Sequence, residues 1–192
     1  NGAESGTQQQ TTTITDDDPA PTVTLSVDSA TIAENAGVAT FTATLAATSG
    51  LPVTVNLGFT GTATCPNDYT RSGAQIVIAP GSLTGTVTVT AVSDTLDETN
   101  ETVIVDITSV TNGTESGTQQ ATTTITDDDA PPTVTLSVDK PTIAENAGMA
   151  TFTATLSAAS GLSVTVDLGF TGTATLTDDY TPSGVQIVIA PG

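Results

Sequence analysis

Residues 1–81 reappear as residues 112–192, offset by 111 positions with no insertion or deletion, and about four in five of the paired residues are identical. Self-similarity at domain length describes tandem globular modules. A solenoid instead repeats a unit of about 20–50 residues that cannot bury its own core. One module is complete, residues 19–129. Residues 1–18 are expected to be the terminal strand of a preceding repeat, and 130–192 the N-terminal part of the next. A chain that opens in the middle of a repeat reads as a window on a longer array, with any targeting segment outside it.

Within the complete module the apolar residues alternate with Thr and Ser in short runs, and turn residues separate the runs. The period of two predicts strands at 22–28, 39–45, 53–59, 75–79, 85–92, 102–108 and 119–126. Their inward sets are Val23, Leu25 and Val27; Phe41, Ala43 and Leu45; Val53, Val55, Leu57 and Phe59; Val87 and Val89; Val103, Val105 and Ile107. Seven strands in about 110 residues with no helical period predict an all-β fold, an immunoglobulin-like β-sandwich used in tandem. The aromatics fall at three repeated positions, Phe41/Phe152, Phe59/Phe170 and Tyr69/Tyr180, and are expected in the core.

Charge narrows what such a module can bind. The chain carries 21 acidic and 2 basic residues, a net charge of −19. Nucleic acids and anionic membranes are recognised through Lys and Arg, so the charge balance disfavours both as partners: no nucleic acid and no membrane insertion in this segment are expected. No apolar run is long enough to span a membrane. Histidine is absent, which removes the usual general base, Ser-His-Asp chemistry and the common zinc ligand. With no Trp to stack on a sugar, paired carboxylates make a poor glycosidase, and no enzymatic activity is expected. Cys65 has Leu176 as its counterpart in the second copy, so the position asks for a small apolar side chain rather than a disulfide. Two sequons, at Asn100 and Asn112, are treated as chance occurrences.

The acids are not spread evenly. If successive strands run up and down, the 28–38, 60–74 and 93–101 loops and the chain leaving residue 126 share one end of the sandwich. Of the twelve carboxylates in 19–129, ten fall there: Asp28, Glu34, Asp68, Asp94, Asp97, Glu98, Glu101 and the triplet Asp127, Asp128 and Asp129. Glu115 lies at the other end and Asp106 within a strand. Like charges about 4 Å apart at an effective dielectric near 20 repel by about 4 kcal/mol per pair, so such a pole calls for a positive charge. Ca2+ suits it best. It takes six to eight oxygen ligands in a flexible shell, whereas Mg2+ keeps its waters and zinc prefers nitrogen and sulfur. Several loops supply these acids, unlike the single contiguous loop of an EF-hand.

Four stretches in order carry a family resemblance: Ala33-Glu34-Asn35-Ala36-Gly37; Gly61-Thr62-Ala63 leading to Asp68-Tyr69-Thr70; Asp94 leading to Asp97-Glu98-Thr99-Asn100-Glu101; and Ile125-Thr126-Asp127-Asp128-Asp129. Together they resemble the Calx-β repeat of sodium–calcium exchanger regulatory regions, integrin β4 and very large bacterial surface proteins. The resemblance implies calcium held in the loops at one end of the sandwich, with Glu34, Asp94, Glu98, Glu101, Asp127, Asp128 and Asp129 as metal residues. Thr60 and Ser93 stand where the family often carries further acids, which lowers the expected number of ions to one or two.

The expectation that follows is a calcium-binding structural repeat of a secreted or cell-surface protein, an adhesin, biofilm or filament component. Calcium would stiffen the joint where Asp127–Asp129 meets Ala130-Pro131-Pro132, since proline limits backbone freedom. The expected partners are neighbouring repeats of the same chain. Two alternatives are a regulatory calcium sensor and a subunit that exchanges strands with identical chains in a filament.

Overall fold

Thr and Val alternate because a pleated strand turns successive side chains to opposite faces, and β-branched residues fit a half-buried pleat. The computed structural model, which describes residues 1–192, turns this pattern into ten strands in the complete repeat. They are β1 (Thr22–Val27), β2 (Thr31–Ala33), β3 (Val38–Leu45), β4 (Val53–Gly61), β5 (Tyr69–Arg71), β6 (Gln75–Ile78), β7 (Thr84–Ala91), β8 (Glu101–Thr111), β9 (Thr114–Glu115) and β10 (Gln120–Thr126). All seven predicted strands are present. The three additions, β2, β5 and β9, are only two or three residues long, too short for a period to register.

The strands form two five-stranded sheets, one ordered β5-β7-β3-β1-β9 and the other β2-β10-β8-β4-β6. The inner faces of the two sheets enclose one core. Val23, Phe41, Val53, Val55, Val89, Val103 and Val105 are fully buried, and the other inward positions named above are buried as well, apart from Val27 and Phe59. Burial of a side chain such as Phe41 stabilises the fold by roughly 1.5–3 kcal/mol. Phe59 sits at the core margin, half-buried, with the Arg71 guanidinium 4.3 Å above its ring. The structure is an immunoglobulin-like sandwich, and it contains no helix that could cross a membrane.

Most neighbouring strands are antiparallel, but β2 and β10 run parallel, with Thr31, Ile32 and Ala33 opposite Thr124, Ile125 and Thr126. This pairing makes both strands end at the same pole. After β2 the chain reverses in a tight turn. The Ala36 and Gly37 N–H groups donate to the Glu34 and Ala33 carbonyls at 2.7 and 3.0 Å, with Ala36 at φ 56°. A Cβ at position 37 would collide with the Ala33 backbone, so glycine is required there.

Residues 1–18, expected as a strand, form none, and Ile14 is 94% exposed where its counterpart Ile125 is 4% exposed. The physical reason is the ladder. Strand β10 is held between β8 and β2, and residues 1–18 have no copy of either beside them. In the second copy β11 (Val134–Val138) pairs with β12 (Phe152–Leu156), and β13 (Val164–Asp167) with β14 (Gln186–Ile189). These registers repeat those of β1 with β3 and of β4 with β6. Residues 130–192 contain no counterpart of β7 or β8, and Leu136, Phe152 and Phe170 are correspondingly exposed.

Candidate metal centre

Several acids of the pole lie at or near strand ends, and the pairing of the strands brings those ends together. Glu34 follows β2, and its N–H donates to the Thr126 carbonyl at 2.9 Å, which fixes it beside the first residue after β10, Asp127. Glu101 opens β8 opposite Ile125. Tyr69 of β5 lies opposite Ala91 of β7, and the Val92 N–H donates to the Asp68 carbonyl at 2.9 Å. Asp94 lies three residues beyond β7. Five strand ends thus bring four carboxylates together directly or within one residue, and a short loop brings Asp94 to join them.

The loops add the rest. A small cavity of about 10 Å³, room for roughly one water-sized sphere, is lined by Glu34, Asp68, Asp94, Glu98, Glu101 and Asp127 together with Val92, Thr99 and Ile125. Beside it, carboxylate oxygens of Glu34, Asp94 and Asp129 lie within 4.8 Å of one another. Glu34 is 8% exposed, and one of its oxygens accepts the Asp94 N–H at 2.9 Å. Asp94 in turn accepts the Leu96 N–H at 2.8 Å, and Asn100 accepts the Asp127 N–H at 3.1 Å. Asp68 accepts from the Thr64 N–H and hydroxyl at 2.5 and 2.7 Å.

Nothing in the pole answers this negative charge. Arg71 is engaged with Phe59, and Lys140 lies 4.0 Å from Asp139. Burial and mutual repulsion therefore push the carboxyls up. Burial raises Glu34 most, then Asp94, Asp127 and Asp129, against the lowering effect of the Asp94 N–H. Glu98 is raised by burial and by Asp94, Asp68 and Asp127, and Asp129 by burial and by Asp127, Asp128, Asp94 and Asp97. Glu101 is pushed up to about 7 by burial and by Asp68.

Asp127 Oδ1 and Asp129 Oδ2 are buried with no hydrogen-bond partner. A buried carboxylate oxygen left unpaired is costly unless a cation completes it. An all-oxygen donor set from several loops, with orphaned oxygens and no base nearby, fits a hard divalent cation.

The structure brings together six of the seven metal residues named from the sequence. The seventh, Asp128, is exposed and lines neither the cavity nor the cluster. Asp68, which its loop puts at this pole and which is not among the seven metal residues named from the sequence, also lines the cavity. The signal for it was available in Tyr69, whose burial at 4% exposure fixes the preceding residue at the rim. Asp97 faces the second copy. Its carbonyl accepts the Gly161 N–H at 3.1 Å and the Ser160 hydroxyl at 3.4 Å.

The Calx-beta domain family model matches residues 16–129 and again residues 127–192. Among solved structures, the apo-form Calx CBD1 domain is 19% identical at a TM-score of 0.48, covering 56% of this chain and 99% of that one. The calcium binding domain CBD12 of CALX1.1 is 15% identical at a TM-score of 0.48, covering 71% of each chain. CBD12 from CALX1.2 is 18% identical at a TM-score of 0.48, and the chain spans 44% of its length. Comparison with curated proteins finds no match. With both copies of the repeat matched end to end, the chain belongs to the Calx-beta domain family.

Proposed function

We propose that the acidic pole is a calcium site and that the chain is a calcium-stiffened structural repeat of a secreted or cell-surface protein. The observation that carries the site is the pair of buried, unpartnered oxygens on Asp127 and Asp129 among carboxylates with no base beside them. Glu34, Asp94, Asp127 and Asp129 would hold the ion, with Glu98, Glu101 and Asp68 on the cavity side available to a second. Bound calcium supplies the positive charge that this pole lacks. Asp127 and Asp129 begin the segment leading to Pro131 and Pro132, so holding them also fixes the direction in which the chain leaves the sandwich.

A regulatory sensor is the second reading. It draws on the family itself. Affinity separates the two. A calcium titration followed by calorimetry is expected to give dissociation constants of about 10⁻⁴–10⁻³ M for an extracellular structural module, and about 10⁻⁷–10⁻⁵ M for a sensor. No heat of binding, together with unchanged melting in millimolar calcium, would remove both readings.

A further inference from the structure

The chain contains the same small turn twice, once covered and once bare. In the second copy it is Ser160-Gly161-Leu162, where the Gly192 N–H donates to the Ser160 carbonyl at 3.1 Å and the Leu162 N–H to Ser160 Oγ at 3.1 Å. In the complete repeat it is Ser49-Gly50-Leu51. There the Gly81 N–H donates to the Ser49 carbonyl at 2.9 Å and the Leu51 N–H to Ser49 Oγ at 3.0 Å. Both the residues and the local hydrogen bonds are the same, so this lip is preformed in either setting.

What lies against the two lips differs. The Asp97–Glu98 loop sits on the second, with the Asp97 carbonyl taking the Gly161 N–H and the Ser160 hydroxyl. The Glu98 side chain crosses Gly161 where a Cβ would collide with it. Ser160 is 2% exposed and Leu162 37%. Against the first lip there is nothing. A Cβ on Gly50 would meet open space, and Leu51 is 59% exposed. Gly50 has no positive φ and no crowding neighbour, so the repeat itself gives no reason for a glycine there. At position 161 the reason is visible, and it is the acid loop of another copy.

We propose that Ser49-Gly50-Leu51 is a docking surface whose occupant is the 97–98 loop of another copy of this repeat, set 111 residues ahead of it in tandem. The surface deepens the structural-repeat reading by naming what each repeat touches. Its shorter hydrogen bonds go to the Asp97 backbone carbonyl, with a longer one of 3.5 Å from the Ser160 hydroxyl to Asp97 Oδ2. Asp97 is outside the proposed calcium ligands, so the surface does not rest on calcium.

Amide hydrogen exchange tests it, on the 192-residue chain and on an array with one further copy of residues 1–111 fused ahead of Asn1. In the 192-residue chain the Gly161 amide is expected to exchange about tenfold or more slowly than that of Gly50. In the array Gly50 should slow to match Gly161. Gly50→Val should abolish that slowing in the array, yet leave the melting temperature of the 192-residue chain unchanged within about 1 °C, because the side chain enters open space. Equal Gly50 exchange in chain and array, in calcium and in chelator alike, would overturn the proposal. So would protection that survives Gly50→Val, or a lower melting temperature for that variant in the 192-residue chain. Failure of calcium binding leaves this readout untouched, so the two proposals fail separately.

Discussion

Glu101 shows what the pole does to a single carboxyl. It is held up at about 7, against 4.5 for the ordinary side chain, by burial first and then by Asp68. Between those values the folded protein binds the proton and the unfolded chain does not, so stability is greatest below about 4.5 and falls as the pH rises through about 7. Glu34, Glu98 and Asp129 are shifted in the same direction. Asp28, Asp139 and Asp179 are shifted down by hydrogen bonds, and their stabilisation is lost only below the ordinary value of 3.8, outside this window. In chelator, calorimetry should therefore show the melting temperature rising as pH falls from about 7.5 to 5. Saturating calcium should remove or reverse the trend, because it holds the carboxylates ionised. A chelated protein whose melting temperature falls over that range would contradict the assignment. Glu101→Gln should stabilise the chelated protein at pH 7.5 by about 1 kcal/mol, roughly 4–8 °C in melting temperature. The same change should weaken calcium binding about tenfold, or 1.4 kcal/mol, in the titration.

Among the elements, β2 has an influence out of proportion to its three residues. Ile32 is buried at 6% exposure in the strand that pairs with β10 and delivers Glu34 to the pole. Ile32→Ala should cost about 2–4 kcal/mol in a denaturant titration, the usual range for a buried aliphatic truncation. It should also lower calcium affinity. Ile76, 1% exposed in β6, pairs with Val55 near the start of β4, at the end of the sandwich away from the acids. Ile76→Ala should cost about as much stability and leave calcium affinity unchanged. Equal losses of affinity in the two variants would mean that β2 has no special role in positioning the site. A period needs several residues to register, which is why the seven long strands were legible in the sequence while β2, β5 and β9 were not. Two of the three missed strands are the ones that place Glu34 and Asp68.

At the scale of the whole molecule, the polarised charge makes the fold respond to ions in general and to calcium in particular. Repulsion between partly exposed carboxylates is screened by monovalent salt, so about 0.5 M NaCl should raise the melting temperature of the chelated protein. Calcium should do more at about a hundredfold lower concentration. At ten times the dissociation constant one site adds about 1.4 kcal/mol, several degrees in a module of this size. If NaCl and calcium at equal ionic strength gave equal stabilisation, the pole would be a diffuse field rather than a coordination site.

The sequence by itself determined the sandwich, its inward residues and the concentration of acids at one end. These follow from a period of two and from the alternation of strand direction, both local properties of the chain. Tertiary structure decided which acids meet. Parallel pairing of β2 with β10 sets Glu34 beside Asp127, and β5 on β7 sets Asp68 at the rim, while Asp128 turns to solvent between two half-buried neighbours. It also decided that residues 1–18 remain without a strand and that the Asp97 carbonyl is spent on Gly161. A hydrogen-bond ladder and a coordination shell both need partners from distant parts of the chain, and no local pattern records where those partners will be.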